Sequence, residues 1–191
     1  MKQFDYMEKW KKLLTPQIVS YLTTIHEYKG KQHLIAERHA DVLENLVEIA
    51  KIQSTESSNK IEGIYTSDER LKKIVLDKTM PKTRNEREIA GYRDVLNTIH
   101  ENFQHIPIRD TFILQLHRDL YKFENASYGG RFKTADNIIE EEDERGNKFV
   151  RFRPLPAWET PDAIINLCTA YNEAINKGEA DSLLLIPMFI I

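Results

Sequence analysis

The sequence holds a single cysteine, Cys168, so an internal disulfide is excluded and a reducing compartment is expected. Cys168 closes the run Ile164-Ile165-Asn166-Leu167-Cys168, which reads as the buried face of a helix and makes the thiol an inert core group. Nothing in Met1-Lys2-Gln3-Phe4-Asp5-Tyr6 is apolar enough for a secretory signal. No hydrophobic run reaches the roughly 20 residues a membrane span needs, so no membrane contact is expected and the location is read as cytoplasmic. An excess of basic charge is missing too. Lysine and arginine number 27 against 30 aspartates and glutamates, for a net charge of -3 and a pI near 6.1, which argues against direct nucleic-acid binding.

The signatures of several chemistries are also absent. Six histidines are scattered at His26, His33, His39, His100, His105 and His117, with no helical His pair around a Glu and no Cys/His cluster, so no metal site is expected. Gly129-Gly130 lacks the lysine and spacing of a phosphate loop, and no nucleophile elbow occurs. The run Glu140-Glu141-Glu142-Asp143-Glu144 reads as a solvated tip rather than a chelator. His117, beside the apolar stripe of its helix, is expected to satisfy a local hydrogen bond. From these residue types alone no active site is defensible.

What is present is helix. With 41% hydrophobic and 30% charged residues, 191 positions suffice for one sizeable globular domain. Phe4, Met7, Trp10, Leu13 and Leu14 predict a short amphipathic helix over residues 4–14. Thr15-Pro16 starts a second helix, whose stripe of Ile18, Leu22, Ile25 and Tyr28 is expected to stop at Gly30. A longer helix follows from about His33 through Leu43, Leu46, Val47 and Ala50 to Glu62. Further helices are expected over 68–76, 86–103, 109–123 and 162–177, with Thr83 or Asn85 capping the second of these. Residues 182–191 carry no charge and predict a helix buried on every side. Between the helices, Asn137-Ile138-Ile139 and Lys148-Phe149-Val150-Arg151-Phe152 read as two strands around an acidic tip. The expected fold is all-α, a mainly helical body with one small β-hairpin flap.

One stretch stands out, Ser57-Ser58-Asn59-Lys60-Ile61-Glu62-Gly63. On a helix Ser58 and Glu62 lie one turn apart on one face, and Gly63 is a natural left-handed stop. A carboxylate there faces the negative end of the helix dipole, which disfavours it by a few tenths up to ~1 kcal/mol. The residues alone leave two readings open, an ordinary solvated helix end and a carboxylate held there by something other than local stability.

The order of these features resembles the Fic family of AMP-transferring enzymes, in the class whose inhibitory helix precedes the catalytic core. That class carries Ser/Thr, three residues, Glu, then Gly/Asn, matched here by Ser58-Asn59-Lys60-Ile61-Glu62-Gly63. Glu88-Ile89-Ala90-Gly91-Tyr92 looks like the start of the first core helix, and Ile113-Leu114-Gln115-Leu116-His117 like the next. Tyr128-Gly129-Gly130-Arg131-Phe132-Lys133 and Phe152-Arg153-Pro154-Leu155-Pro156 look like the two sides of the flap. The likeness covers about residues 40–191. It departs at one point, because the family's His-Pro-Phe and Gly-Asn-Gly-Arg signature is absent, and residues 182–191 look like the helix that leads into it.

The resemblance implies a division into N-terminal helices (1–63) ending in the inhibitory helix and the N-terminal portion of a Fic-like core (64–191), with the flap at about 131–153. It implies that Glu62 lies at the γ-phosphate position and pairs with an arginine of the missing loop, that Ser58 bonds within its own helix to orient the carboxylate, and that Gly63 turns the chain away. Flap residues Ile138, Ile139, Phe149, Val150, Arg151 and Phe152 would dock an extended target segment by strand addition. ATP and Mg2+ belong to a complete enzyme, whose partner is a protein bearing a hydroxyl side chain, and homo-oligomerisation is left open. Without the catalytic motif no AMP transfer is expected from this chain alone. Two alternatives stay open: a binding module supplying its inhibitory helix in trans to another Fic core, as an antitoxin would, and a helical interaction scaffold.

Overall fold

The computed structural model describes residues 6, 8–36, 40–124 and 126–190. Among the described residues it contains seven α-helices and one two-stranded antiparallel hairpin, as expected for a helical body with a flap. The helices are α1 (Pro16–Ala36), α2 (Ala40–Ile61), α3 (Asp68–Val75), α4 (Arg84–Asn102), α5 (Asp110–Leu120), α6 (Thr160–Lys177) and α7 (Ser182–Ile190). The strands β1 (Ile139–Glu142) and β2 (Lys148–Phe152) lie between α5 and α6.

Helix starts follow side-chain chemistry. Thr15 accepts from the Ile18 amide ahead of Pro16, Ser67 from Arg70, and Thr83 from Glu86, so Thr83 rather than Asn85 caps α4. Two sequence expectations fail at the N-terminal end. The expected amphipathic helix is a short 3-10 helix, Lys9–Leu13, that buries none of its residues, and the buried anchor there is Tyr6, outside the expected stripe. Phe4 and Met7 of that stripe lie outside the described residues. Gly30 does not stop α1, which continues to Ala36. A glycine with no left-handed turn costs a helix only about 1 kcal/mol, and that is too little to end it.

Two small cores hold the body. Leu71, Ile74 and Val75 of α3 pack with Ile89 and Ala90 of α4, and Ile52, Ile64 and Phe123 close over them. Ile74 and Ile89 are almost fully buried, each contributing about 1.5–3 kcal/mol of apolar burial. The second core joins Tyr6, Ala174 of α6 and Leu185 of α7, with Tyr171 and Met188 against them. Between the cores α4 crosses α5 at Gly91, where a Cβ would fall 1.9 Å from the Leu120 carbonyl oxygen, so any side chain would force the helices apart. Cys168 is buried, as expected.

Residues 182–190 are helical but not buried on every side. Leu184 and Leu185 are buried, whereas Leu183, Ile186 and Ile190 are exposed, because α6 and the N-terminal turn cover only one side of α7.

The hairpin is shifted from its expected register. Glu140 to Glu142 form strand rather than tip, pairing with Val150, Phe149 and Lys148, while Ile138 precedes the strand. Asp143 makes the difference. Its Oδ1 accepts from the amides of Arg145 (2.9 Å) and Asn147 (2.8 Å), and Gly146 (φ 81°) closes the turn. The Asn147 amide bond holds the Asp143 carboxyl below its usual range. At the hairpin base the His117 Nδ1 accepts from the Gly130 amide at 3.0 Å, a local hydrogen bond of the kind expected.

Candidate functional site

The last turns of α2 build the site. Spacing of three and four residues puts Ile52, Thr55 and Asn59 on the side that packs against the body, and Thr55 and Asn59 are buried. The helix then ends in a paired cap: the Ile64 amide donates to the Asn59 carbonyl (2.9 Å) and the Gly63 amide to Lys60 (3.0 Å). Gly63 takes φ 74°, the left-handed value its sequence position predicts. Glu62 is thereby the capping residue itself, exposed at the negative end of the helix.

Ser58 behaves differently from the expectation that it bonds within its own helix. Its hydroxyl accepts from the phenol of Tyr92 on α4, at 2.9 Å. Four residues separate Ser58 from Glu62 and likewise Glu88 from Tyr92, so each helix turns a pair of polar side chains to the gap between them. There Ser58, Asn59, Glu62, Ile64, Glu88, Tyr92, Leu120 and Tyr121 line a cleft of about 440 Å³. Glu88 and Tyr92 bound the stretch Glu88-Ile89-Ala90-Gly91-Tyr92 that resembles the start of the first core helix, and that resemblance implies no role for either. Their four-residue spacing was the available signal.

The electrostatics of the cleft are one-sided. Among the described residues two carboxylates line it, Glu62 and Glu88, and no cationic side chain does. Arg84 reaches Glu88 from outside (Nε to Oε1, 2.9 Å). Behind Glu88, burial and then a hydrogen bond with Glu88 push the Glu124 carboxyl above its usual range. Among the described residues no group of three His, Cys, Asp or Glu side chains is placed to hold a metal ion. Among the described residues the lining therefore supplies no group that would hold the phosphates or the metal of Mg2+-ATP, and Glu88 is already paired with Arg84.

The flap residues Ile138, Ile139, Phe149, Val150, Arg151 and Phe152 stand apart from the cleft lining, and both strands are exposed along their whole length. Phe149 and Phe152 are about half exposed, at 49% and 58%. Arg151 pairs with Glu141 across the hairpin at 3.3 Å. Among the described residues no helix is long and apolar enough to cross a membrane.

The fold is similar to that of a Fic domain-containing signaling protein from Bacteroides thetaiotaomicron, with a TM-score of 0.59 at 19% sequence identity. The match covers 74% of this chain and 53% of that one, so the chain spans about half the length of that protein. No family model and no curated protein matches the sequence. The body is a Fic-like helical fold.

Proposed function

We propose that the chain is the regulatory and target-docking portion of a self-inhibited protein adenylyltransferase, which moves AMP from ATP to a protein hydroxyl in the cytoplasm. Residues 1–63 are the regulatory part and residues 64–191 the portion of the core that precedes the catalytic motif. The observation that carries this is the placement of Glu62, an exposed carboxylate fixed by a paired cap at a cleft that no cation lines among the described residues. A negative charge about 4 Å from a phosphate costs on the order of 1 to several kcal/mol, enough to push ATP into an unproductive pose. The binding of Mg2+-ATP is then left to the family's anion loop, which this sequence does not carry. The exposed strands of the flap, a two-stranded sheet with no third strand among the described residues, suit strand addition by an extended target segment.

The test uses a longer chain that carries the family's catalytic motif after residue 191. Glu62→Gly is expected to raise AMP incorporation from labelled ATP at least several-fold over its parent. Equal incorporation overturns the inhibitory role. A second reading, action in trans on another Fic core, draws on the exposed face of α7, where Leu183, Ile186 and Ile190 are available for a partner to cover. Retention of a separate catalytic core on the immobilised chain supports that reading, and failure to retain one counts against it.

A further inference from the structure

We propose that Tyr92 is the positioning residue through which α4 holds the inhibitory segment, its hydrogen bond to Ser58 keeping Glu62 at the cleft. This rests on the inhibitory reading of Glu62 given above.

The argument begins with how α2 is held. Its first half presents Leu43, Leu46, Val47 and Ala50 on the side opposite Ile52, Thr55 and Asn59, and all four are exposed, Leu46 by 53% and Val47 by 50%. Among the described side chains, the buried ones of α2 are in its C-terminal half. Little of their docking is polar. The Thr55 hydroxyl is fully buried without a hydrogen-bond partner, which costs rather than stabilises. Asn59 spends its amide on the Thr55 carbonyl of its own helix, at 2.8 Å. Among the described residues, the bond from Tyr92 to Ser58 is what ties these turns to α4 by side-chain polarity.

Its position gives it leverage. Ser58 lies one turn before Glu62 on the same face, so a shift at Ser58 is passed to the carboxylate through a rigid helix. Both hydroxyls also line the cleft that Glu62 borders. A group entering that cleft and taking either hydroxyl breaks the bond, which links cleft occupancy to the position of Glu62.

Amide hydrogen exchange on the 191-residue chain tests the geometry. The Gly63 and Ile64 amides report directly, because their cap bonds exist only while the helix end stays in place. Tyr92→Phe keeps the ring and deletes the donor. It is expected to speed exchange at Gly63 and Ile64 by about threefold to tenfold, with the amides of Ile74 and Ile89 unchanged. Ser58→Ala should match it, and the double variant should be no faster than either. Unchanged exchange in Tyr92→Phe, or acceleration that simply adds in the double variant, overturns the proposal.

AMP transfer by the longer chain separates this claim from the reading it rests on. Tyr92→Phe should raise transfer toward the level of Glu62→Gly and add nothing on top of it. If Glu62→Gly activates and Tyr92→Phe does not, the positioning role is wrong. If Glu62→Gly itself has no effect, the inhibitory reading falls, and the exchange rates still decide the coupling of Tyr92 to Ser58.

Discussion

Glu62 and Glu86 sit at opposite kinds of helix end, and their surroundings differ accordingly. Glu86 lies in the first turn of α4, where the helix dipole favours a negative charge. It is buried to 4% exposure and accepts from Arg70 through Nε (2.8 Å) and Nη2 (2.6 Å), with the Lys82 amide at 2.7 Å. The Arg70 guanidinium above all holds its carboxyl down to about 2. Glu62 lies at the end of α2, where the dipole disfavours it, and it is exposed. Its carboxylate makes no side-chain hydrogen bond or ion pair among the described residues. A glutamate that serves the fold is surrounded by donors, whereas one kept at an unfavourable end without them is better explained by what it opposes.

The largest expected effect breaks the first half of that contrast. Glu86→Ala leaves the Arg70 guanidinium short of its partner and should destabilise the chain by about 3–5 kcal/mol in urea unfolding. The same pin predicts an acid limb. Because the carboxyl is depressed in the fold, its stabilisation is complete above its ordinary value near 4.5 and is lost as pH falls toward about 2. Stability should decline through that window, and Glu86→Gln should flatten the decline. A decline as steep in Glu86→Gln as in the parent would assign it to other carboxylates.

A smaller effect belongs to the cap that fixes Glu62. Gly63→Val forces a β-branched residue to φ near 74° and should cost roughly 1–3 kcal/mol, read as a lowered unfolding midpoint. The space around a Cβ at Gly63 is open, so the loss would be backbone strain rather than a clash. The smallest effect sharpens the comparison most. Glu62→Gln removes a negative charge from the negative end of a helix and should leave stability unchanged or raise it by a few tenths of a kcal/mol. A loss of 1 kcal/mol or more would show that Glu62 is structural after all.

Much of the site was legible along the chain, and the legible parts share a cause. Gly63 as a left-handed stop, Thr15 and Thr83 as caps, and Ser58 and Glu62 on one face all follow from geometry within a few residues. The errors follow from neighbours that local patterns do not contain. The charge-free run of α7 signalled burial but not how many sides would be covered. Five acidic residues suggested a tip, yet Asp143 placed the turn and drew three of the glutamates before it into β1. Ser58 was expected to bond along its own helix, and instead a phenol from α4 reaches it across the gap.

By itself, then, the sequence determined the helical fold class, the hairpin between α5 and α6, the cap at Gly63 and the odd placement of Glu62. Each is a matter of periodicity, of φ preference, or of a charge at a helix end, which the chain carries locally. Only the tertiary structure decided that Glu88 and Tyr92 face Ser58 and Glu62, that no cation lines the cleft between them among the described residues, and that Tyr92 donates to Ser58. These depend on how α2 settles against α4, which is set by the packing of Ile52 against the core that holds Ile74 and Ile89, residues distant in sequence that meet only once the core has formed.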